Sequence, residues 1–82
     1  MKATIFTPQG AAPVRVRDLS ADGAFLSSTH PLPAAGDLIF KRGALFVAGQ
    51  VVWSDTYQAG IRFYRSLSSQ ELAGSHHTVL HD

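Results

Sequence analysis

The sequence predicts a small all-β fold, a six-stranded antiparallel barrel followed by a short C-terminal helix. Apolar and polar residues alternate with a period of two in several short segments, which is typical of strands with one face in a core. Clusters of Gly, Pro, Asp and Ser separate these segments at the intervals expected for a small barrel. Closing the sheet also removes the exposed edges that an open sheet of this size would leave.

The length allows one domain, because 82 residues with 45% hydrophobic composition can build a single core and are too few for two. We expect this domain to span residues 1–82, with the barrel over about 2–64, the helix over about 69–75 and a tail over 76–82. The predicted strands cover residues 2–7, 13–18, 24–26, 37–42, 44–54 and 58–64.

The second predicted strand has the clearest alternation. Val14 and Val16 lie on one face and Arg15 and Arg17 on the other, as in a strand with one solvated face. Residues 19–23 are polar and end in glycine, so they predict a hairpin loop to the next strand. Residues 27–36 contain two prolines and a glycine and predict a crossing loop.

The longest apolar segment, residues 44–54, predicts a strand with Leu45, Val47, Val51 and Trp53 on its inner face. Gly49 falls on the same face, which indicates a bend or bulge there. We expect Trp53 to pack in the core or at the barrel mouth, the alternative being a platform for stacking a base.

Phe40 and Phe46 fall on opposite faces of their predicted hairpin, so one of them is expected to contribute to an exposed apolar patch. Such patches often mark the surfaces that bind partner proteins.

The period changes near the C-terminus, where Ser68 and Glu71 have the spacing of a capping box and predict a short helix. His77 and His81 would share one helix face, as metal ligands can. Because they lie at a chain end with no carboxylate nearby except Asp82, we favour a solvated tail and predict no metal.

Composition excludes several functions. The chain has no cysteine, which excludes disulfide scaffolds, thiol catalysis and thiolate metal sites. A net charge of +1 without a basic cluster disfavours nucleic acid and anionic membranes as partners. No signal peptide and no membrane-spanning segment is recognised, so we expect a cytoplasmic protein. No catalytic constellation is apparent, and we predict that the protein is not an enzyme.

Residues 18–24, DLSADGA, combine an acidic residue at a strand end with a hydroxyl and a glycine. Asp18 and Ser20 can bond nearby backbone amides, and Gly23 permits a positive φ, so a purely structural hairpin loop is one reading. The other is a binding loop.

These residues resemble the [D/N]xSxxG signature of the PilZ family, with Asp18, Ser20 and Gly23 at the three signature positions. Residues 33–37, 49–53 and 59–63 are also similar to family segments, in the expected order. The resemblance covers about residues 2–64. It implies a bacterial β-barrel of the cyclic di-GMP signalling pathway, with cyclic di-GMP as the implied ligand and no other cofactor.

Family members that bind the nucleotide also carry an upstream RxxxR motif, whose arginines hold the phosphates and stack on guanine. No two arginines of this sequence have that spacing. We therefore expect a degenerate member that acts as an adaptor through protein contacts, with weak or no nucleotide binding and an unidentified protein partner.

Two alternatives stay open. The first is a true cyclic di-GMP receptor with a rearranged site, whose residues would be Arg15, Arg17, Asp18, Ser20 and Gly23. The second, which the near-neutral charge disfavours, is a barrel that binds single-stranded nucleic acid with a steep dependence on salt.

Overall fold

The computed structural model of the protein describes residues 1–76, which form six strands and one helix. The elements are β1 (Lys2–Thr7), β2 (Gly10–Leu19), β3 (Gly23–Ser27), β4 (Asp37–Arg42), β5 (Leu45–Asp55), β6 (Gln58–Phe63) and α1 (Ser69–His76). The strands close into an antiparallel barrel in the order β1-β2-β3-β6-β5-β4. The pairing of β1 with β4 closes the barrel, and Ile5 and Phe40 are opposite each other at the centre of this pair of strands. The predicted fold is confirmed.

Alternate side chains of the strands fill the barrel, and Ile5, Leu26 and Phe40 are almost completely buried. Removing a side chain of this size from water stabilises the fold by about 1.5–3 kcal/mol. In β2, Val14 and Val16 face this core while Arg15 and Arg17 are exposed, as the alternation predicts.

A β-bulge interrupts the alternation in β2. Val16 pairs with Leu26, but the next pair joins Asp18 to Phe25, so Arg17 is the extra residue. Because one residue is inserted, Arg17 and Asp18 are both exposed and Leu19 returns to the core. Strict alternation would have turned Asp18 inward.

A second bulge lies in β5 between Val51, which pairs with Ile61, and Trp53, which pairs with Gly60. The predicted position of this irregularity, Gly49, was wrong, since the pairing there is regular. Gly49 instead allows a close approach of β6, because a Cβ would lie 2.7 Å from the carbonyl oxygen of Arg62.

The bulge in β5 also overturns the prediction that Trp53 packs in the core. Its side chain is 46% exposed and lies on the outer wall, because the inserted residue reverses the inward and outward positions that follow it. The prediction for the hairpin phenylalanines is confirmed, since Phe40 is buried and Phe46 is exposed.

The crossing loop, residues 28–36, closes over the β5–β6 turn. The backbone amide of Ser28 donates to the carbonyl of Tyr57 at 2.9 Å, and that of Leu32 donates to the carbonyl of Thr56 at 2.6 Å. The buried side chain of Leu32 joins the core, which explains how a proline-rich segment is held in place.

The predicted capping box forms at the start of α1. The amide of Ser68 donates to Glu71 Oε1 at 2.8 Å, and the amide of Glu71 donates to Ser68 Oγ at 3.1 Å. Both terminal nitrogens of Arg65 donate to the same carboxylate, at 2.9 and 2.8 Å. These bonds, with the Arg65 contacts dominant, lower the pKa of Glu71 to about 2.

Among residues 1–76, no helix is both long and apolar enough to cross a lipid bilayer. The hypothetical metal pair of His77 and His81 lies outside the described residues.

Candidate binding site at the motif loop

Residues 20–22 connect β2 to β3, and the hydroxyl of Ser20 closes this loop. The Ser20 amide donates to the carbonyl of Gly23 at 2.9 Å, and its Oγ donates to the same oxygen at 3.3 Å. The Oγ also accepts from the amide of Asp22 at 3.3 Å. The hydroxyl of Ser20 therefore donates and accepts hydrogen bonds within the loop.

Position 23 requires glycine because there is no room for a side chain, and not because of its backbone conformation. Its φ is not positive, in contrast with Gly10, Gly36 and Gly43, so the expected use of a positive φ was wrong. A Cβ at Gly23 would collide with the carbonyl oxygen of Ile61 on β6. The glycine thus lets β3 approach β6 where the loop ends.

Three hydrogen bonds tie the loop to the chain between β6 and α1. The amide of Phe63 donates to the carbonyl of Asp22 at 2.8 Å, and the amide of Leu67 donates to that of Ala21 at 2.8 Å. The hydroxyl of Ser66 donates to Asp22 Oδ1 at 2.9 Å. The loop is therefore fixed by the chain around the end of β6 as well as by its own hydrogen bonds.

An outward-facing row crosses four strands beside the loop. The register places Asp18 opposite Phe25, Phe25 opposite Gly60 and Gly60 opposite Trp53. The rings of Phe25 and Trp53 lie 5.5 Å apart between centroids and are inclined at 49°. The indole covers Gly60, since a Cβ there would collide with the Trp53 ring.

Arg62 completes this surface. It lies opposite Gly23 in the register and lines a shallow depression together with Asp18, Ser20 and Phe25. The side chains of Arg62 and Asp18 form no hydrogen bond or ion pair with any of residues 1–76. We call the surface formed by Asp18, residues 20–23, Phe25, Trp53 and Arg62 the motif face.

Sequence reasoning missed Arg62. Alternation in β6 could have turned it outward, because Ile61 and Phe63 are buried on either side of it. Its position beside the motif loop depends on β6 being the neighbour of β3, and that neighbour is chosen by the topology rather than by local sequence.

The predicted site residues fall into two groups. Asp18, Ser20 and Gly23 lie together at the motif loop. Arg15 and Arg17 line a separate depression, which Lys2, Pro13, Val14 and residues 27–29 complete. The β2 bulge makes Arg17 and Asp18 adjacent outward residues, so the two depressions meet at this point of the strand.

The part of the chain that the structure describes contains no cluster of three His, Asp or Glu side chains arranged to hold a metal ion. The motif face instead offers a carboxylate that accepts hydrogen bonds, a guanidinium that donates them and two aromatic rings. Such a set suits the recognition of a planar or peptide-like ligand.

A small closed barrel with a hydrogen-bonded polar loop and an outward-facing aromatic pair belongs to the class of binding modules. The family model described as PilZ domain matches residues 1–76, and the chain belongs to this family. The protein is thus a module of the cyclic di-GMP pathway, in a family of binding and adaptor domains rather than enzymes. Neither the curated proteins nor the solved structures compared with the chain gave a match.

Proposed function

We propose that this PilZ domain is a regulatory adaptor that acts through contacts with a protein partner and binds cyclic di-GMP weakly or not at all. The observation that carries the proposal is how the motif loop uses its polar groups. Ser20 and Asp22 are engaged within the molecule. The side chains left available around them are those of Asp18, Phe25, Trp53 and Arg62.

The arginines support weak nucleotide binding. Arg15 and Arg17 are two positions apart and line the neighbouring depression, and Arg65 is bonded to Glu71 and to the carbonyl of Phe46. Each charge-assisted contact with a phosphate contributes about 1.5–3 kcal/mol. A site without two of them is weaker by a factor of about 10² to 10⁴.

The composition of the motif face supports a protein partner. Trp and Arg are enriched among the residues that dominate binding energy in protein interfaces, and they act best beside other buried aromatic groups. Trp53, Phe25 and Arg62 form such a set on one side of the barrel, on three paired strands that do not need to reorganise. Binding to a surface of this kind costs little conformational entropy, because few groups become ordered.

Isothermal titration with cyclic di-GMP tests the nucleotide part of the proposal. We expect no saturable binding at micromolar concentrations. Saturable micromolar binding would contradict it, and the Asp18→Ala variant would then show whether the nucleotide occupies the motif face.

Photo-crosslinking in the native host tests the protein part. A photoreactive residue at Val52, which is exposed beside Trp53, should capture a defined protein, and the additional substitution Trp53→Ala should abolish the capture. The matched control carries the same photoreactive residue at Gln9, an exposed position outside the motif face. Equal capture at the two positions would contradict the proposal.

A second candidate function is a cyclic di-GMP receptor with a rearranged site. The unpaired Asp18 favours it, since this carboxylate can accept hydrogen bonds from the edge of a guanine, with Arg17 next to it for a phosphate. This candidate requires Asp18→Ala and Arg17→Ala each to weaken nucleotide binding at least about tenfold, the loss of one charge-assisted contact. Unchanged affinity in both variants would eliminate it.

A further inference from the structure

The outer wall of β1, β4 and β5 carries a continuous hydrophobic surface. Phe6 is 38% exposed, Ile39 37% and Phe46 54%, and the register places Phe6, Ile39 and Ala48 side by side on the three strands. We call these four residues the apolar face. No other segment of residues 1–76 covers them, and exposed surfaces of this composition commonly mark binding sites.

Opposite charges flank the apolar face along β4. Asp37, Ile39 and Lys41 are successive outward residues of this strand, so the Cα atoms of Asp37 and Lys41 lie about 13 Å apart with Ile39 midway. Lys41 Nζ lies 5.3 Å from the centroid of the Phe46 ring. Asp37 accepts a hydrogen bond from the hydroxyl of Tyr64, which raises the pKa of that phenol.

This pattern is complementary to itself. We propose that a second copy of the chain covers the apolar face, in a symmetric dimer whose two-fold axis crosses β4 at Ile39. Such an axis runs the two β4 strands antiparallel to each other and brings Lys41 of each copy over Asp37 of the other. Ile39 and Phe6 then contact their own counterparts, and the sheets pack about 10 Å apart.

Size and charge agree with a dimer of modest affinity. A specific interface uses about 800 Å² from each partner, which is about one sixth of the 5016 Å² surface described here. A net charge of +1 for each chain adds little repulsion between copies.

The dimer goes beyond the proposed function, which uses a different side of the barrel. In the strand order, β1 and β4 lie opposite β6 and β3, which carry Arg62 and Phe25. Trp53 shares β5 with the apolar face but lies beyond the bulge of that strand, so the motif faces of the dimer stay accessible. The nucleotide titration and the crosslinking at Val52 therefore do not depend on dimerisation, and either idea can fail alone.

Analytical ultracentrifugation over a range of concentrations tests the proposal. We expect a reversible monomer–dimer equilibrium with a dissociation constant on the order of 10 μM. Ile39→Glu should weaken it at least tenfold while leaving the circular dichroism spectrum unchanged. Tyr57→Ser, which alters an exposed aromatic residue in the turn between β5 and β6, is the control and should leave the equilibrium unchanged.

Charge reversal tests the arrangement of the two copies. Asp37→Lys and Lys41→Asp should each weaken self-association, because each gives the ends of β4 the same sign. A mixture of the two variants should associate at least tenfold more strongly than either alone, and the double variant should recover self-association. Failure of the mixture to associate would overturn the two-fold arrangement.

Other outcomes would overturn the second copy itself. One is a wild-type protein that stays monomeric to about 1 mM, and another is a dimer that Tyr57→Ser disrupts and Ile39→Glu does not. A monomer that binds a different protein, with Ile39→Glu abolishing that binding, would assign the apolar face to another occupant.

Discussion

The motif face and the apolar face lie on different sides of the same barrel and share only β5, and they differ in how their residues are held. The motif loop is fixed by hydrogen bonds from Ser20, Phe63, Ser66 and Leu67, whereas the apolar face is formed by outward side chains of regular strands. Substitutions at the motif loop therefore affect folding as well as binding. Substitutions on the apolar face should affect association alone.

The largest expected effect is a difference in stability between a substitution inside the barrel and one on the apolar face. Phe40→Ala should lower the free energy of unfolding by about 3–5 kcal/mol, because it empties a buried site where the ring packs against Phe63. Phe46→Ala should lower it by less than about 1 kcal/mol, since this ring is exposed. Urea unfolding at low protein concentration measures both, and equal losses would contradict the assignment of the two faces.

The next effect concerns the rigidity of the motif loop. Gly23→Ala should cost about 2–3 kcal/mol, since the added Cβ meets a backbone carbonyl of β6 that cannot move without shifting the strand. Gly74→Ala is the control, because a Cβ there meets nothing and alanine favours the helix. Thermal unfolding compares the two, and a Gly23→Ala variant as stable as wild type would show that the loop is looser than described.

The ion pair beside the loop gives a pH dependence. The folded-state pKa of Glu71 is lowered to about 2, so its ionised form stabilises the fold above the ordinary value of 4.5, and this contribution is lost as the pH falls towards 2. The wild type should therefore melt at a higher temperature than Glu71→Gln at pH 7, and the difference should vanish near pH 2.

The control for this pH dependence is Asp55→Asn. Asp55 is exposed and forms no hydrogen bond or ion pair within residues 1–76. Its substitution should leave the melting temperature at pH 7 close to that of the wild type. A difference between wild type and Glu71→Gln that is constant from pH 7 to pH 2 would contradict the role of the carboxylate.

The smallest effect concerns the hydrogen bond between Ser66 and Asp22. Ser66→Ala should lower the free energy of unfolding by about 0.5–1 kcal/mol and speed hydrogen exchange of the Leu67 amide, which donates to the neighbouring loop carbonyl. Ser69→Ala removes a hydroxyl that forms no hydrogen bond within residues 1–76 and should change neither measurement.

Local sequence was sufficient for the features that local interactions determine. The alternation of Val14 and Val16 with Arg15 and Arg17 predicted the inner and outer faces of β2, and Ser68 with Glu71 predicted the capping box. Each depends on residues within a few positions of one another. The antiparallel barrel followed from the repetition of such segments, and the family resemblance implied the same fold.

The two bulges could not be predicted, because a bulge is a property of a strand pair and depends on the register with the neighbour. One of them exposed Trp53, and the other turned Asp18 outward beside Arg17. Arg62 was missed for a related reason, since its proximity to Gly23 is set by pairing between strands distant in sequence.

The bonds between the motif loop and the chain before α1 have a consequence for folding during synthesis. Asp22 and Ser66 are 44 positions apart, so the loop leaves the ribosome well before the residues that hold it. Contacts between distant positions form late because closing a long chain segment costs entropy. The signature loop, although encoded early, therefore acquires its final shape only when nearly the whole domain has been made.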